Sequence, residues 1–268
     1  MTAADMDRWT SGSHYDQWMG RWSRLLAHEF LAWLDLPADL RWLDVCCGSG
    51  IITEAIVERN APASIVGIDA SPEQINFARQ HRDQPNVTFQ TGDAMALPFP
   101  DATFNVVVCG LGLHYIPSPV EALEQFCRVT APGGAIAVYV WDYAQGARFL
   151  REFWDAAIAV DHEAATFDQA RRFPMCTPEG LQSLFEQAGL KPASLHALEI
   201  VTHFSSLEDY WAPLLTGQGS APNFMATRDR PTREAIRERL RAALPANSQG
   251  AIELPARAWA IRARNSGV

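Results

Sequence analysis

The ten residues from Arg41 to Gly50, Arg-Trp-Leu-Asp-Val-Cys-Cys-Gly-Ser-Gly, constrain this chain more than any other stretch. Trp42, Leu43 and Val45 make a short apolar run of the kind that forms a buried strand. The run breaks into a turn holding Gly48 and Gly50, and a helical pattern starts at Ile51. Glycine serves where the backbone turns left-handed or lets a ligand come close. A strand, a glycine turn and a helix N-terminus together form a pocket of free backbone N–H groups, which suits a nucleotide-like ligand. A dinucleotide fold would carry Gly-x-Gly-x-x-Gly. Here the spacing is Asp44-x-x-x-Gly48-x-Gly50, with an acid ahead of the glycines and no third glycine at the helix start. An anion beside the turn repels a pyrophosphate and favours a ligand carrying an ammonium group.

The pattern recurs at later strand ends. Ser64 to Ile68 is β-rich and ends at Asp69, 19 residues after Gly50. A carboxylate there can accept from both hydroxyls of a ribose. The plainer reading is a turn or capping residue for the helix opening at Ser71-Pro72-Glu73, but Ser71 can itself be the cap and leave Asp69 free. Ala70 adjoins it, and Gln74 and Ile75 lie near where an adenine would stack. The third strand, Val87 to Gln90, leads into Gly92-Asp93-Ala94-Met95-Ala96-Leu97-Pro98-Phe99. Asp93 either closes an Asx-turn or accepts from an exocyclic amine. Phe104 to Cys109 is a continuous apolar run of the sort parallel sheets bury. It leads into Gly110-Leu111-Gly112-Leu113-His114-Tyr115, which puts His114 and Tyr115 at the ligand edge of an open α/β sheet. A helix over Glu121 to Arg128 is followed by a turn at Ala131-Pro132-Gly133-Gly134 and a fifth strand from Ala135 to Val140. That strand ends at Trp141-Asp142-Tyr143, where the side chains either face a second substrate or cap and pack a helix.

In this order and at these spacings, Asp44 with Gly48 and Gly50, Asp69, Asp93-Ala94 and Arg-Val-x-x-Pro-Gly-Gly resemble the motifs of the class I S-adenosylmethionine-dependent methyltransferases. The resemblance looks closest to the small-molecule, ubiquinone/menaquinone-type branch and covers residues 14–204. One departure is Cys46, which stands where the first motif carries its first glycine. The resemblance implies an α/β fold: a doubly wound, seven-stranded, mostly parallel sheet. It implies S-adenosylmethionine as cofactor, S-adenosylhomocysteine as product, and direct nucleophilic substitution onto a small aromatic or apolar acceptor. The implied cofactor contacts are Asp44, Cys46, Gly48 and Gly50 for the methionine portion, Asp69, Ala70 and Gln74 for the nucleoside, Asp93 and Ala94 for the adenine, and Cys109. The run Tyr-Asp-x-Trp-Met-Gly-Arg-Trp-Ser-Arg-Leu-Leu resembles a family segment that covers the cofactor, through Tyr15 and Met19; its aromatics read equally as core. The candidate acceptor contacts are His114, Tyr115, Trp141, Tyr143 and Trp211. His114 is also the candidate general base, because its ordinary pKa lies near neutrality. A sulfonium is a good leaving group, so proximity alone can suffice.

Bulk properties narrow the partners. A net charge of −9 and a pI near 5.2 disfavour a phosphate backbone as ligand, so no nucleic-acid partner is expected. Five cysteines, two of them adjacent at Cys46 and Cys47, argue for a reducing cytoplasm rather than a disulfide framework. No zinc spacing, signal peptide or membrane-length apolar run is present, so neither a metal nor a membrane is expected. A protein that binds the cofactor without catalysis, and a nicotinamide-dependent oxidoreductase, remain alternatives. So does an RNA or protein methyltransferase, against which the acidic charge argues.

The expected organisation is an N-terminal helical cover over residues 1–37, a core over 38–204 and 250–264 with a helical insertion at 145–175, and a lid at 205–249. Residues 1–13 read as loosely packed. Within the cover, His14 to Leu34 carries an apolar stripe that includes Leu25, Leu26 and Phe30, and Gly20 divides a short helix from a longer one. Ser194 to Phe204 and Ile252 to Arg262 read as strands, and Thr232 to Leu244 as a charged surface helix.

Overall fold

The computed structural model describes residues 18–82, 84–215 and 219–267. Helix α1 (Gly20–Leu34) opens it, followed by β1 (Arg41–Val45), α2 (Ile51–Asn60), β2 (Ser64–Asp69), α3 (Pro72–His81) and β3 (Val87–Thr91). After a long loop come β4 (Phe104–Gly110), a 3₁₀ turn at Leu113–Tyr115, α4 (Pro119–Val129) and β5 (Thr130–Trp141). The chain continues through α5 (Arg148–Val160), α6 (Gln169–Arg172), α7 (Pro178–Gln187) and β6 (Pro192–Phe204). It ends with α8 (Leu207–Trp211), α9 (Ser220–Ala226), α10 (Arg230–Ala243) and β7 (Ile252–Arg264).

The seven strands form one sheet in the order β3-β2-β1-β4-β5-β7-β6. β1 pairs in parallel with β2, Val45 opposite Ile68, and with β4, Asp44 opposite Val108. The apolar run of β1 is buried from Trp42 to Val45, as a central strand covered on both faces requires. β7 runs against β5: Gly133 donates to the Asn265 carbonyl, while Asp142, just past the end of β5, donates to that of Arg257. The strand order reverses between β1 and β4, and their carboxyl ends open the crevice where α/β sheets bind ligands.

Two compact units are present. The first holds residues 18–140, Met175–Leu198 and 258–267. There α1 buries Trp22, Leu26, Phe30 and Leu34 at four-residue spacing, with the Phe30 ring 4.6 Å from that of Tyr139. Leu25 of the expected stripe faces outward, and Gly20 begins α1; the expected shorter helix before it falls largely outside the described residues. The second unit holds Trp141–Pro174 and Glu199–Arg257. Its core is aromatic: Phe153 and Trp154 of α5 pack on Phe224 of α9, and the Tyr210 hydroxyl donates to the Phe149 carbonyl at 2.6 Å.

Two local expectations change. The Pro-Gly-Gly segment is a bulge inside β5 rather than a turn before it. Thr130 pairs with Phe104 and Ala135 with Val106, so residues 131–134 stand opposite Asn105 alone. Asn265 straps this bulge, donating to the carbonyls of Cys127 at 3.1 Å and Thr130 at 2.7 Å. The helical stretch expected over 145–175 divides into α5, a 3₁₀ turn at His162–Thr166 and α6. Asp161 and Asp168 start the later pieces as N-caps, accepting from Glu163 N and Ala170 N.

Candidate active site

The turn from β1 to α2 is left-handed at three residues: Cys46 at φ 57°, Gly48 at 52° and Gly50 at 83°. A Cβ on Gly48 would meet open space, whereas one on Gly50 would lie 2.7 Å from Arg82 Cδ and 3.0 Å from the Phe89 ring. Gly50 is therefore required by packing beneath the turn, and Gly48 by the turn itself. Cys46 keeps the backbone that its glycine counterpart would take, at a cost of about 1 kcal/mol. Gly112, across from it, makes the room: a Cβ there would lie 2.4 Å from Cys46 Cβ and 3.3 Å from Cys109 Sγ. A hydrogen bond to Cys109, then burial, raises the Cys46 pKa, and burial raises that of Cys47, so neither thiol ionises near neutral pH.

Asp44, at 0% exposure, is the most deeply buried carboxylate of this unit. Thr53 Oγ1 donates to its Oδ2 at 2.7 Å, and its Oδ1 has no hydrogen-bond partner among the described residues. Burial pushes its pKa up to about 7, opposed by the Thr53 bond and reinforced by the charge of Asp69. A water-excluded carboxylate oxygen with no donor is costly unless a cation or donor completes it. This is the feature that fits the amino group of S-adenosylmethionine.

Asp69 is half-buried at the end of β2 and is not free of the backbone, contrary to expectation. Its Oδ2 accepts from Gly48 N at 2.9 Å and its Oδ1 from Ser71 N at 2.9 Å. Ser71 does cap α3, its hydroxyl accepting from Gln74 N at 3.3 Å. Each carboxylate oxygen keeps a second lone pair. Asp69 thus ties two loops together while retaining capacity for ribose hydroxyls. Burial raises its pKa, and the Ser71 and Gly48 amides pull the other way. Ala70 is exposed beside it, and Gln74 is buried at the start of α3.

Asp93 takes the plainer of its two readings. Its Oδ1 accepts from Met95 N at 2.8 Å, closing an Asx-turn, and the residue is exposed. The turn spends one of its oxygens. Ala94 beside it is buried. Cys109, one residue before the end of β4, is buried against Cys46, and Leu111 follows the strand at φ 57°. The 3₁₀ turn then sets His114, 6% exposed, with its ring 4.1 Å from that of Tyr115.

The carboxyl ends of β1, β2, β3 and β4 thus gather Asp44, Cys46, Gly48, Gly50, Asp69, Ala70, Asp93, Ala94, Cys109, His114 and Tyr115 on one edge of the sheet. Met19, 6% exposed, precedes α1, and its carbonyl accepts from the Ser23 hydroxyl. Tyr15 lies outside the described residues. Trp141, Tyr143 and Trp211 belong to the second unit and are buried there. Trp141 meets Phe149 edge-on, Tyr143 tilts against Phe173, and Arg237 lies over the Trp211 ring. Sequence reasoning missed Thr53, nine residues after Asp44, because a threonine inside a helix carries no local signal of its partner. It also missed Gly112, whose reason lies across the sheet. Among the described residues no His, Cys, Asp and Glu side chains are grouped to hold a metal, and no helix is long and apolar enough to cross a membrane.

Comparison with known proteins agrees with this fold. Residues 43–134 match the family described as "Methyltransferase domain". The chain is 32% identical over 173 residues to the 2-phytyl-1,4-naphtoquinone methyltransferase of Thermosynechococcus vestitus, covering 59% of this chain and 76% of that protein. It is 30% identical over 177 residues to the demethylmenaquinone methyltransferase of Bacillus licheniformis, covering 61% and 75%. Among solved structures, the YcgJ protein of Bacillus subtilis superposes with a TM-score of 0.57 at 16% identity, over 91% of this chain and 99% of that one. A Haemonchus contortus phosphoethanolamine N-methyltransferase, in complex with phosphomonomethylethanolamine and S-adenosylhomocysteine, superposes at 0.56 with 14% identity, over 96% and 57%. At those identities the structural likeness speaks for the fold.

Proposed function

This chain belongs to the S-adenosylmethionine-dependent methyltransferases, and on that premise we propose that it methylates a small, planar, apolar acceptor of the hydroquinone type. The observation that carries the cofactor assignment is the buried Asp44 carboxylate with one oxygen lacking a donor. The acceptor class is supported by two relatives named for naphthoquinone-type substrates.

In this reading, S-adenosylmethionine supplies an electrophilic methyl group on a sulfonium leaving group. Asp44 receives the ammonium of the methionine portion, and the backbone at Gly48 and Gly50 positions that portion. Asp69 accepts from the ribose hydroxyls through its remaining lone pairs. Ala70 and Gln74 flank the nucleoside, and Asp93 with Ala94 meets the adenine. Cys46 and Cys109 line the turn, and Met19 borders it. With the cofactor so held, an acceptor oxygen or carbon would need only alignment with the methyl group, since the sulfonium would leave as the neutral thioether. His114 takes the acceptor's proton, and Tyr115 packs on its ring. A net charge of −9 and five free thiols support a cytoplasmic enzyme without a nucleic-acid partner.

Calorimetric titration with S-adenosylmethionine, S-adenosylhomocysteine and, as control, NAD tests the cofactor. Binding of the first two and not the third is expected, and NAD binding instead would overturn the assignment. Methyl transfer to a reduced 2-substituted 1,4-naphthoquinone, set against a small amine, tests the acceptor class; turnover of the amine alone would exclude it. His114→Ala is expected to leave cofactor affinity unchanged and to lower turnover by about 10²-fold. Unchanged turnover across pH would remove His114 as the base.

A further inference from the structure

We infer that Arg128 is a positioning residue for cofactor binding: its guanidinium organises the loop that presents Asp93. The inference rests on the adenine role proposed for Asp93. That loop, residues 92–103, contains no helix or strand and joins β3 to β4. Near Asp93 it is held by its own turn, with Ala96 N donating to the Asp93 carbonyl at 3.1 Å. Beyond Ala96 its carbonyls point at Arg128, on the last turn of α4. Nη2 donates to the Leu97 carbonyl at 2.9 Å. Nη1 donates to the Phe99 carbonyl at 2.7 Å and to Asp101 Oδ1 at 2.8 Å. Gln125 Oε1 fixes the guanidinium by accepting from Nε at 3.1 Å and Nη2 at 2.8 Å. The Arg128 carbonyl takes Ala102 N at 3.0 Å, so main chain and side chain clamp one segment.

A planar fork bonded to two carbonyls defines the loop's position as a single point charge cannot. Loop entropy removed before the ligand arrives is not charged against its binding. Arg128 touches neither the cofactor nor the acceptor in this account. Its effect passes through the Leu97 and Phe99 carbonyls to the turn at Asp93. A residue that only stabilised the fold would loosen β1 and β4 along with the loop.

The test pairs amide hydrogen exchange of the cofactor-free protein with titration of S-adenosylhomocysteine and S-inosylhomocysteine, the latter lacking the adenine amino group. In Arg128→Ala, exchange at Met95 and Ala96 is expected to accelerate while β1 and β4 keep their protection. S-adenosylhomocysteine affinity should fall about tenfold, and Arg128→Lys should lie between the two. Unchanged exchange over residues 92–102 overturns the inference. So does faster exchange with unchanged S-adenosylhomocysteine affinity, or protection lost throughout the sheet. Should Arg128→Ala not fold, Arg128→Lys is judged by the same criteria. Wild-type protein that binds the two nucleosides alike would remove the Asp93 reading, and Arg128 would then stand or fall on exchange and S-adenosylhomocysteine affinity together.

Discussion

The two units treat buried carboxylates in opposite ways. In the second unit, Asp142 and Asp168, each 3% exposed, both meet a guanidinium. Arg257 donates to Asp142 Oδ2 at 2.9 and 2.6 Å, and Arg151 forks onto Asp168 at 3.0 and 2.8 Å. The backbone amides of Gln145 and Ala170 each add a third bond, so every oxygen of the two carboxylates has a donor. In the first unit Asp44, buried as deeply, has one threonine hydroxyl and an empty oxygen. A paired buried charge holds a fold together. An unpaired one withholds its best interaction for something that comes and goes.

The contrast breaks most visibly at Asp168. Asp168→Ala takes from Arg151 its buried partner, leaving it the exposed Asp155 at 3.0 Å, and removes the cap of α6, so a loss of about 2–4 kcal/mol is expected in denaturant unfolding. A loss under about 1 kcal/mol would place that pair with surface ion pairs. Asp44→Asn should do the reverse. Stability without cofactor should hold or rise at pH 8, while S-adenosylmethionine affinity falls by about 2–3 kcal/mol in calorimetry. Destabilisation with intact affinity would make Asp44 structural.

Next comes a steric test. Gly112→Ala drives a Cβ into Cys46, which should cost about 1–3 kcal/mol, and Cys46→Gly should restore most of that loss in the double variant. Additive losses would mean that the two residues do not share the space. Cys46→Gly alone is expected to change stability by under about 1 kcal/mol, its relieved backbone offset by a freer unfolded chain.

The smallest effect is a proton. The folded Asp44 carboxyl holds its proton up to about pH 7, against an ordinary value of 3.8. The cofactor-free protein therefore loses stability as pH rises between those values and levels off above the upper one. Asp69, also raised, acts in the same direction. A cationic ligand favours the ionised form, so binding should weaken below about pH 7 and release up to one proton at pH 6. Calorimetry in buffers of differing ionisation heat reads that proton directly; an absence of buffer dependence at pH 6 would contradict it.

Where sequence reading succeeded, the chemistry was local. A strand, a glycine turn and a helix start are contiguous, so residues 41–51 carry their own geometry. The same holds for Ser71, whose cap is read three residues on. The reading failed where the partner is remote. Asp69 looked free because its bond to Gly48 spans 21 residues. The Pro-Gly-Gly segment looked like a turn because the bulge depends on Asn105 opposite and on Asn265 near the chain's end. Trp141, Tyr143 and Trp211 show the limit of composition, since a buried aromatic reads alike whether it packs a core or meets a ligand.

By itself, then, the sequence determined the succession of strands and helices along the chain, the acid-before-glycine turn and the class of cofactor. Each depends on residues within a few positions of one another or on the apolar period of a strand. The tertiary structure alone decided which carboxylate would be left without a partner, that Cys46 could take a glycine's backbone because Gly112 lacks a side chain, and that Arg128 would reach back across 29 residues to Phe99. Those outcomes depend on distances between segments that only the folded sheet brings together.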